Sequence, residues 1–79
     1  MYHLSLHSRF HLTPAEVRIA LGIARGESLA TIAIANGTSV ETVRTQLKSV
    51  FNKTGTHRQA ELAVLIGRLT DWAAGKPAV

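Results

Sequence analysis

Residues 28–55 read SLATIAIANGTSVETVRTQLKSVFNKTG, and this stretch predicts two helices joined by a very short turn. Ser28 and Ser39 can each cap the N-terminus of a helix, because a serine hydroxyl accepts a hydrogen bond from a free amide of the first turn. Gly37 and Gly55 can each end a helix, because glycine adopts the left-handed conformation of a helix C-terminus without strain. The predicted helices span about residues 29–36 and 40–54.

Only Gly37 and Thr38 separate the first of these helices from the cap of the second. Two helices joined by so short a turn containing glycine must cross steeply, and this is the arrangement of a helix-turn-helix. The first helix is brief and is predicted to face the core with the side chains that recur at helical spacing, which are Leu29, Ile32, Ala33 and Asn36.

Capping signals predict one further helix on each side of this pair. Thr13-Pro14-Ala15-Glu16 has the pattern of a capping box, in which a threonine hydroxyl and a glutamate carboxylate each bond a free amide. The helix that begins there is predicted to end at about Arg25. Thr56-His57-Arg58-Gln59 is a second capping box, with glutamine in place of glutamate. It predicts a fourth helix that ends between Leu69 and Ala74. The sequence therefore predicts an all-α fold, a compact domain of four helices.

The predicted helix over residues 40–54 is amphipathic. Its apolar side is expected to face the core and consists of Val43, Leu47, Val50 and Thr54, with Phe51 beside them. The opposite side is polar and cationic, and it consists of Glu41, Arg44, Thr45, Lys48 and Asn52. A helix of this kind packs one side against the protein and presents the other to a partner.

Composition and charge fit a single small basic domain. The chain has 79 residues, enough for one modest core, and its lack of cysteine excludes disulfides and cysteine-ligated zinc. The net charge is +4, and most of the excess lies between Ser39 and Arg58, which suits a polyanionic partner. No apolar run is long enough to span a membrane, and the N-terminus lacks a signal-peptide pattern, so we expect a cytoplasmic protein.

Most of the chain resembles the LuxR-type (GerE-like) helix-turn-helix domain of bacterial transcriptional regulators. The resemblance covers residues 12–69 and begins with LTPAE at residues 12–16 and ARGES at residues 24–28. It is densest in TSVETVRTQLKSVFNKTG at residues 38–55, where Ser-x-x-Thr-Val-Arg is followed by Lys-x-Gly, and it ends with RQAEL at residues 58–62. Four positions depart from the usual pattern without touching the groove-facing side, and these are Asn36, Thr38, Gln46 and Thr54.

The resemblance implies sequence-specific binding of double-stranded DNA by an output module that regulates transcription. The helix over residues 40–54 would lie in the major groove, where Arg44 and Lys48 can donate to guanine and Thr45 can offer its hydroxyl or methyl group. By the resemblance, these three residues read bases. Contacts to phosphate are expected at the helix N-termini and the basic periphery, from Ser28, Thr31, Ser39, Thr42, Gln46, Lys53 and Arg58.

The fourth helix carries more apolar surface than one interface needs. One side is expected to complete the core and consists of Leu62, Leu65, Ile66 and Leu69. A second strip of small residues is predicted to form a homodimer interface, and it consists of Ala60, Ala63, Val64 and Gly67. Dimerisation through this helix would match an operator with two half-sites. RNA polymerase is a further candidate partner.

Other functions fit the sequence less well. His3, His7 and His11 have a spacing that could bind a metal on a helix, but no carboxylate lies near them and Pro14 interrupts the pattern, so we expect neither metal nor cofactor. No catalytic motif is present, and we do not expect an enzyme. The alternative is a helical protein-interaction module without DNA affinity. Residues 1–11 are interpreted as a flanking segment or linker, 12–74 as the DNA-binding domain and 75–79 as a flexible tail.

Overall fold

Four helices account for most of residues 9–73, the part of the chain that the computed structural model describes. These helices are α1 (Pro14–Ala24), α2 (Leu29–Asn36), α3 (Val40–Thr54) and α4 (Gln59–Ala73). The same residues contain no strand, so the predicted all-α fold is confirmed. The predicted tail, the proposed end of α4 at residue 74 and the first two histidines of the His3/His7/His11 series lie outside the described residues.

The capping residues of the first three helices act as the sequence predicts. In α1 the Glu16 amide donates to the Thr13 hydroxyl over 3.2 Å, and the Thr13 amide donates to the Glu16 carboxylate over 2.8 Å. Helices α2 and α3 have the predicted bounds. Each ends at a glycine in the left-handed conformation, Gly37 with φ 65° and Gly55 with φ 69°.

The start of α4 differs from the prediction. The helix begins at Gln59, and the Thr56 hydroxyl lies 2.9 Å from the Thr54 hydroxyl instead of capping the first turn. The Glu61 carboxylate accepts from the amides of His57 and Arg58 over 2.8 and 3.1 Å, which lowers the pKa of Glu61. Thr56 is therefore not the capping residue: its hydroxyl pairs with Thr54, and Glu61 accepts from the two amides that precede the helix.

Helix α1 lies at the centre of the packing and contacts both α3 and α4, while α2 packs chiefly against α3. Gly22 of α1 permits close approach of α2, since a Cβ atom there would lie 2.9 Å from the Ile32 side chain. The core contains Leu12 and side chains from all four helices, among them Ile19, Ile32, Val43, Leu47, Val50, Leu62 and Ile66. The predicted inward sides of α2 and α3 are confirmed, and Leu62 and Ile66 of α4 are buried as expected.

Candidate nucleic-acid interface

The outer side of α3 is a continuous exposed polar surface. Val43, Leu47 and Val50 are buried on the inner side, which fixes the rotation of the helix against the core. Five residues face solvent as the spacing predicts, and they are Glu41, Arg44, Thr45, Lys48 and Asn52. The structure therefore brings together Arg44, Thr45 and Lys48, the three side chains to which the resemblance assigns base reading.

Two of these three side chains have hydrogen-bond partners within the same helix. Nη1 of Arg44 donates to the Glu41 carboxylate over 2.9 Å. The Thr45 hydroxyl donates to the Glu41 carbonyl oxygen over 3.1 Å, so its lone pairs and methyl group remain for a partner. Lys48 is exposed and forms no ion pair with any residue that the structure describes.

The N-termini of α2 and α3 are built alike. The Ser28 hydroxyl accepts from the Thr31 amide over 3.1 Å, and the two hydroxyls lie 3.0 Å apart. The Ser39 hydroxyl accepts from the Thr42 amide over 3.1 Å, again with 3.0 Å between the hydroxyls. All four residues are exposed. Each pair caps its helix and leaves hydroxyl groups at the positive end of the helix dipole, where an anion is favoured.

Three further residues were predicted to bind phosphate, and they differ in environment. Arg58 is exposed just before α4, and Gln46 is partly buried. The ammonium group of Lys53 donates to the Glu16 carboxylate over 2.8 Å and to the His11 carbonyl oxygen over 3.2 Å. Since an ammonium group has three donors, one of them remains for phosphate at Lys53. In the structure, Lys53 links α3 to α1 through its bond to Glu16.

Glu16 and Lys53 form an ion pair that the sequence does not reveal. The Glu16 side chain is only 8% exposed, whereas Lys53 retains 34%. Burial alone would raise the pKa of Glu16, but hydrogen bonds from Lys53, Ser49 and the Thr13 amide outweigh burial and lower this pKa to about 2. Glu16 is therefore a buried carboxylate that the Lys53 ammonium keeps ionised, and the capping pattern revealed only its bond to Thr13.

The small-residue strip on α4 is only partly open to solvent. Ala60 and Val64 are exposed. Val64 has the larger side chain of the two and is 55% exposed. Ala63 and Gly67 are partly buried, and Ala63 packs against the core. On α2, Ile34 is 82% exposed, a second apolar surface that the sequence analysis did not single out.

The described residues offer no sign of a metal site or a membrane segment. No group of three or more His, Cys, Asp or Glu side chains in residues 9–73 is placed to hold a metal ion. None of the helices in that range has the length and apolar character needed to cross a bilayer. In comparisons with family models, curated proteins and solved structures, the chain gave no significant match. The resemblance to LuxR-type domains thus rests on the residues of this chain.

Proposed function

We propose that this chain binds double-stranded DNA in a sequence-specific manner to regulate transcription, with α3 in the major groove. The observation that carries the proposal is the exposed side of this 15-residue helix, which presents Arg44, Thr45 and Lys48 together. An α-helix fits the major groove, and arginine or lysine on its outer side can donate to O6 and N7 of guanine. The same three positions read bases in the domains that the chain resembles.

The surroundings of α3 support phosphate binding on both sides of the groove. The capped N-termini of α2 and α3 offer hydroxyl groups from Ser28, Thr31, Ser39 and Thr42 at the positive ends of two helices. Arg58 adds an exposed cation beyond the other end of α3. Contacts of this kind orient a protein on the duplex without reading its sequence. As a bacterial regulator, the protein would act in the cytoplasm on the nucleoid, with RNA polymerase as a candidate second partner.

Binding to duplex DNA should depend strongly on salt. If each domain neutralises about four to six phosphates, the logarithm of the affinity should fall with the logarithm of salt concentration at a slope of about −4 to −5. Fluorescence anisotropy of a labelled duplex at several salt concentrations measures this slope. Replacing Arg58 by glutamine removes one expected phosphate contact and should bring the slope to about −3 to −4. An affinity that stays constant from low to physiological salt would contradict the proposal.

The proposal includes a homodimer formed through α4. The exposed residues of the strip, Ala60 and Val64, form a second apolar surface on a helix whose Leu62 and Ile66 already serve the core, and the partly buried Ala63 and Gly67 lie beside them. Small side chains allow two helices to approach closely, and a two-fold dimer would match an operator with two half-sites.

Val64→Glu should weaken self-association and leave the fold intact. Val64 is 55% exposed, so a glutamate at this position is hydrated in the monomer. In the dimer its charge would be buried in an apolar contact without water, which is unfavourable. Sedimentation velocity in the presence of operator DNA measures the change, and circular dichroism checks the fold. Ile34→Glu is the matched control, since it charges an exposed apolar position on α2, outside the proposed dimer interface, and should leave dimerisation through α4 unchanged. A parent protein that binds its operator only as a monomer would rule out the dimer.

A protein-interaction module is the second candidate function, and the exposed side chain of Ile34 favours it. Helix α2 has apolar residues on both sides, because Ile32 and Ala33 are buried while Ile34 and Ala35 face solvent. Helices that are apolar all round are usually covered by another surface. The DNA titration separates the two functions, because a pure interaction module would show no salt-dependent affinity for duplex DNA.

A further inference from the structure

We infer that Glu41 determines specificity together with Arg44, because its carboxylate accepts a hydrogen bond from a cytosine amino group at or beside the base pair that Arg44 reads. This inference rests on the proposed function, since it requires α3 to lie in the major groove. It adds an acidic residue to a reading surface that otherwise consists of cations and hydroxyls.

Glu41 shares the exposed side of α3 with the residues proposed to read bases. Glu41 lies three residues before Arg44 and four before Thr45, on the same exposed side of α3. Its side chain is 83% exposed and is the one acidic group on the outer side of this helix. Any duplex that brings Arg44 into the groove therefore brings the Glu41 carboxylate with it.

A side-chain hydrogen bond joins Glu41 to Arg44. Nη1 of Arg44 donates to Oε1 of Glu41 over 2.9 Å, so one edge of the guanidinium group is already occupied. A guanidinium has five N–H donors in a planar fork, and the edge that remains can still donate to O6 and N7 of one guanine. The pair thus restricts a flexible arginine to fewer orientations before DNA arrives.

The carboxylate of Glu41 has two oxygen atoms that can accept hydrogen bonds. Glu41 uses one oxygen for Arg44, and its other oxygen needs a donor once water has been excluded from the groove. In the major groove, cytosine presents only the N4 amino donor, whereas thymine presents the O4 acceptor and would repel the carboxylate. Adenine also has an amino donor, but its N7 acceptor lies beside that donor and would repel the carboxylate. The carboxylate therefore favours cytosine.

The charge of Glu41 also lowers the affinity for DNA of unselected sequence. A carboxylate on the groove-facing side repels phosphates and offsets the charge of Arg44, so the two residues together contribute little to binding of DNA of unselected sequence. Lower affinity for unselected duplex and higher affinity for the chosen base both raise the specificity ratio.

Three variants and the parent test this inference by selection of bound sequences from random duplexes, followed by titration of selected and unselected DNA. Glu41→Gln keeps the shape of the side chain and removes its charge. Glu41→Asp keeps the charge and retracts the carboxylate by one methylene group. Glu27→Gln is the control, because Glu27 also forms an ion pair with an arginine, Arg25, over 3.0 Å, and lies outside α3. Circular dichroism confirms that each variant is folded.

We expect the parent and Glu27→Gln to select the same motif. Glu41→Gln should lose roughly tenfold in preference for cytosine at one position and bind unselected duplex roughly threefold more tightly than Glu27→Gln. Glu41→Asp should lose the cytosine preference while its affinity for unselected duplex stays at the parent level. If Glu41→Gln keeps the motif of the parent, the inference is wrong and the proposed function stands. If the parent itself selects no motif, the proposed function fails as well.

Discussion

Lys53→Met should lower the free energy of unfolding by about 2–4 kcal/mol at pH 7. The variant keeps the aliphatic part of the side chain and removes the ammonium group that pairs with Glu16 over 2.8 Å. Removing one partner of a buried ion pair leaves the other charge buried and uncompensated, which costs about 3–5 kcal/mol in well-buried cases. We expect a smaller value because about a third of the Lys53 side chain remains in contact with water.

Urea denaturation of the parent and Lys53→Met measures this loss. Lys48→Met is the matched control, because it makes the same change on the exposed side of α3 and should alter stability by no more than about 0.5 kcal/mol. Glu16→Gln combined with Lys53→Met should recover part of the loss, since no charge is then buried. Equal stability of the two lysine variants would show that the Glu16–Lys53 ion pair contributes nothing.

Acid titration gives an independent measure of the same pair. The pKa of Glu16 falls from 4.5 to about 2 on folding, so its ionised form stabilises the folded state at any pH above about 4.5. This contribution, on the order of 3 kcal/mol, is lost as the pH falls from about 4.5 toward 2. Glu16→Gln should remove most of this acid sensitivity.

Local signals in the sequence were sufficient to predict most of the fold. The bounds of α2 and α3 follow from a serine before each helix and a glycine after it, and the structure has the same bounds. The sides of α3 follow from the 3.6-residue period of its apolar residues. Each of these features depends on residues a few positions apart, which is the range that a single sequence reveals.

The start of α4 and the pairing of Lys53 could not be predicted in this way. At α4 the capping acceptor is Glu61, which lies inside the helix, while the hydroxyl of Thr56 pairs with that of Thr54. Lys53 and Glu16 are 37 residues apart, and only the packing of α3 against α1 brings them together. The side of α3 that bears Arg44 was predictable, but its bond to Glu41 required side-chain geometry.

Arg44→Ala should reduce affinity for a selected sequence by roughly 5- to 150-fold, because a bidentate contact to a base contributes about 1–3 kcal/mol of discrimination. Affinity for a scrambled duplex should fall by a smaller factor, roughly threefold, because the variant removes one positive charge and leaves the Glu41 carboxylate unpaired. Arg58→Ala is the matched control outside α3. It should weaken binding to both duplexes by a similar factor and reduce the salt slope by about one. Arg44 is exposed, so the variant should remain folded.

The most direct test of α3 as the reading helix is the ratio of affinities for selected and scrambled duplex, measured for the parent, Arg44→Ala and Arg58→Ala at two salt concentrations. We expect this ratio to fall for Arg44→Ala and to stay at the parent value for Arg58→Ala. If Arg44→Ala lowers both affinities by one common factor, the ratio is unchanged, and α3 does not read the DNA sequence through Arg44.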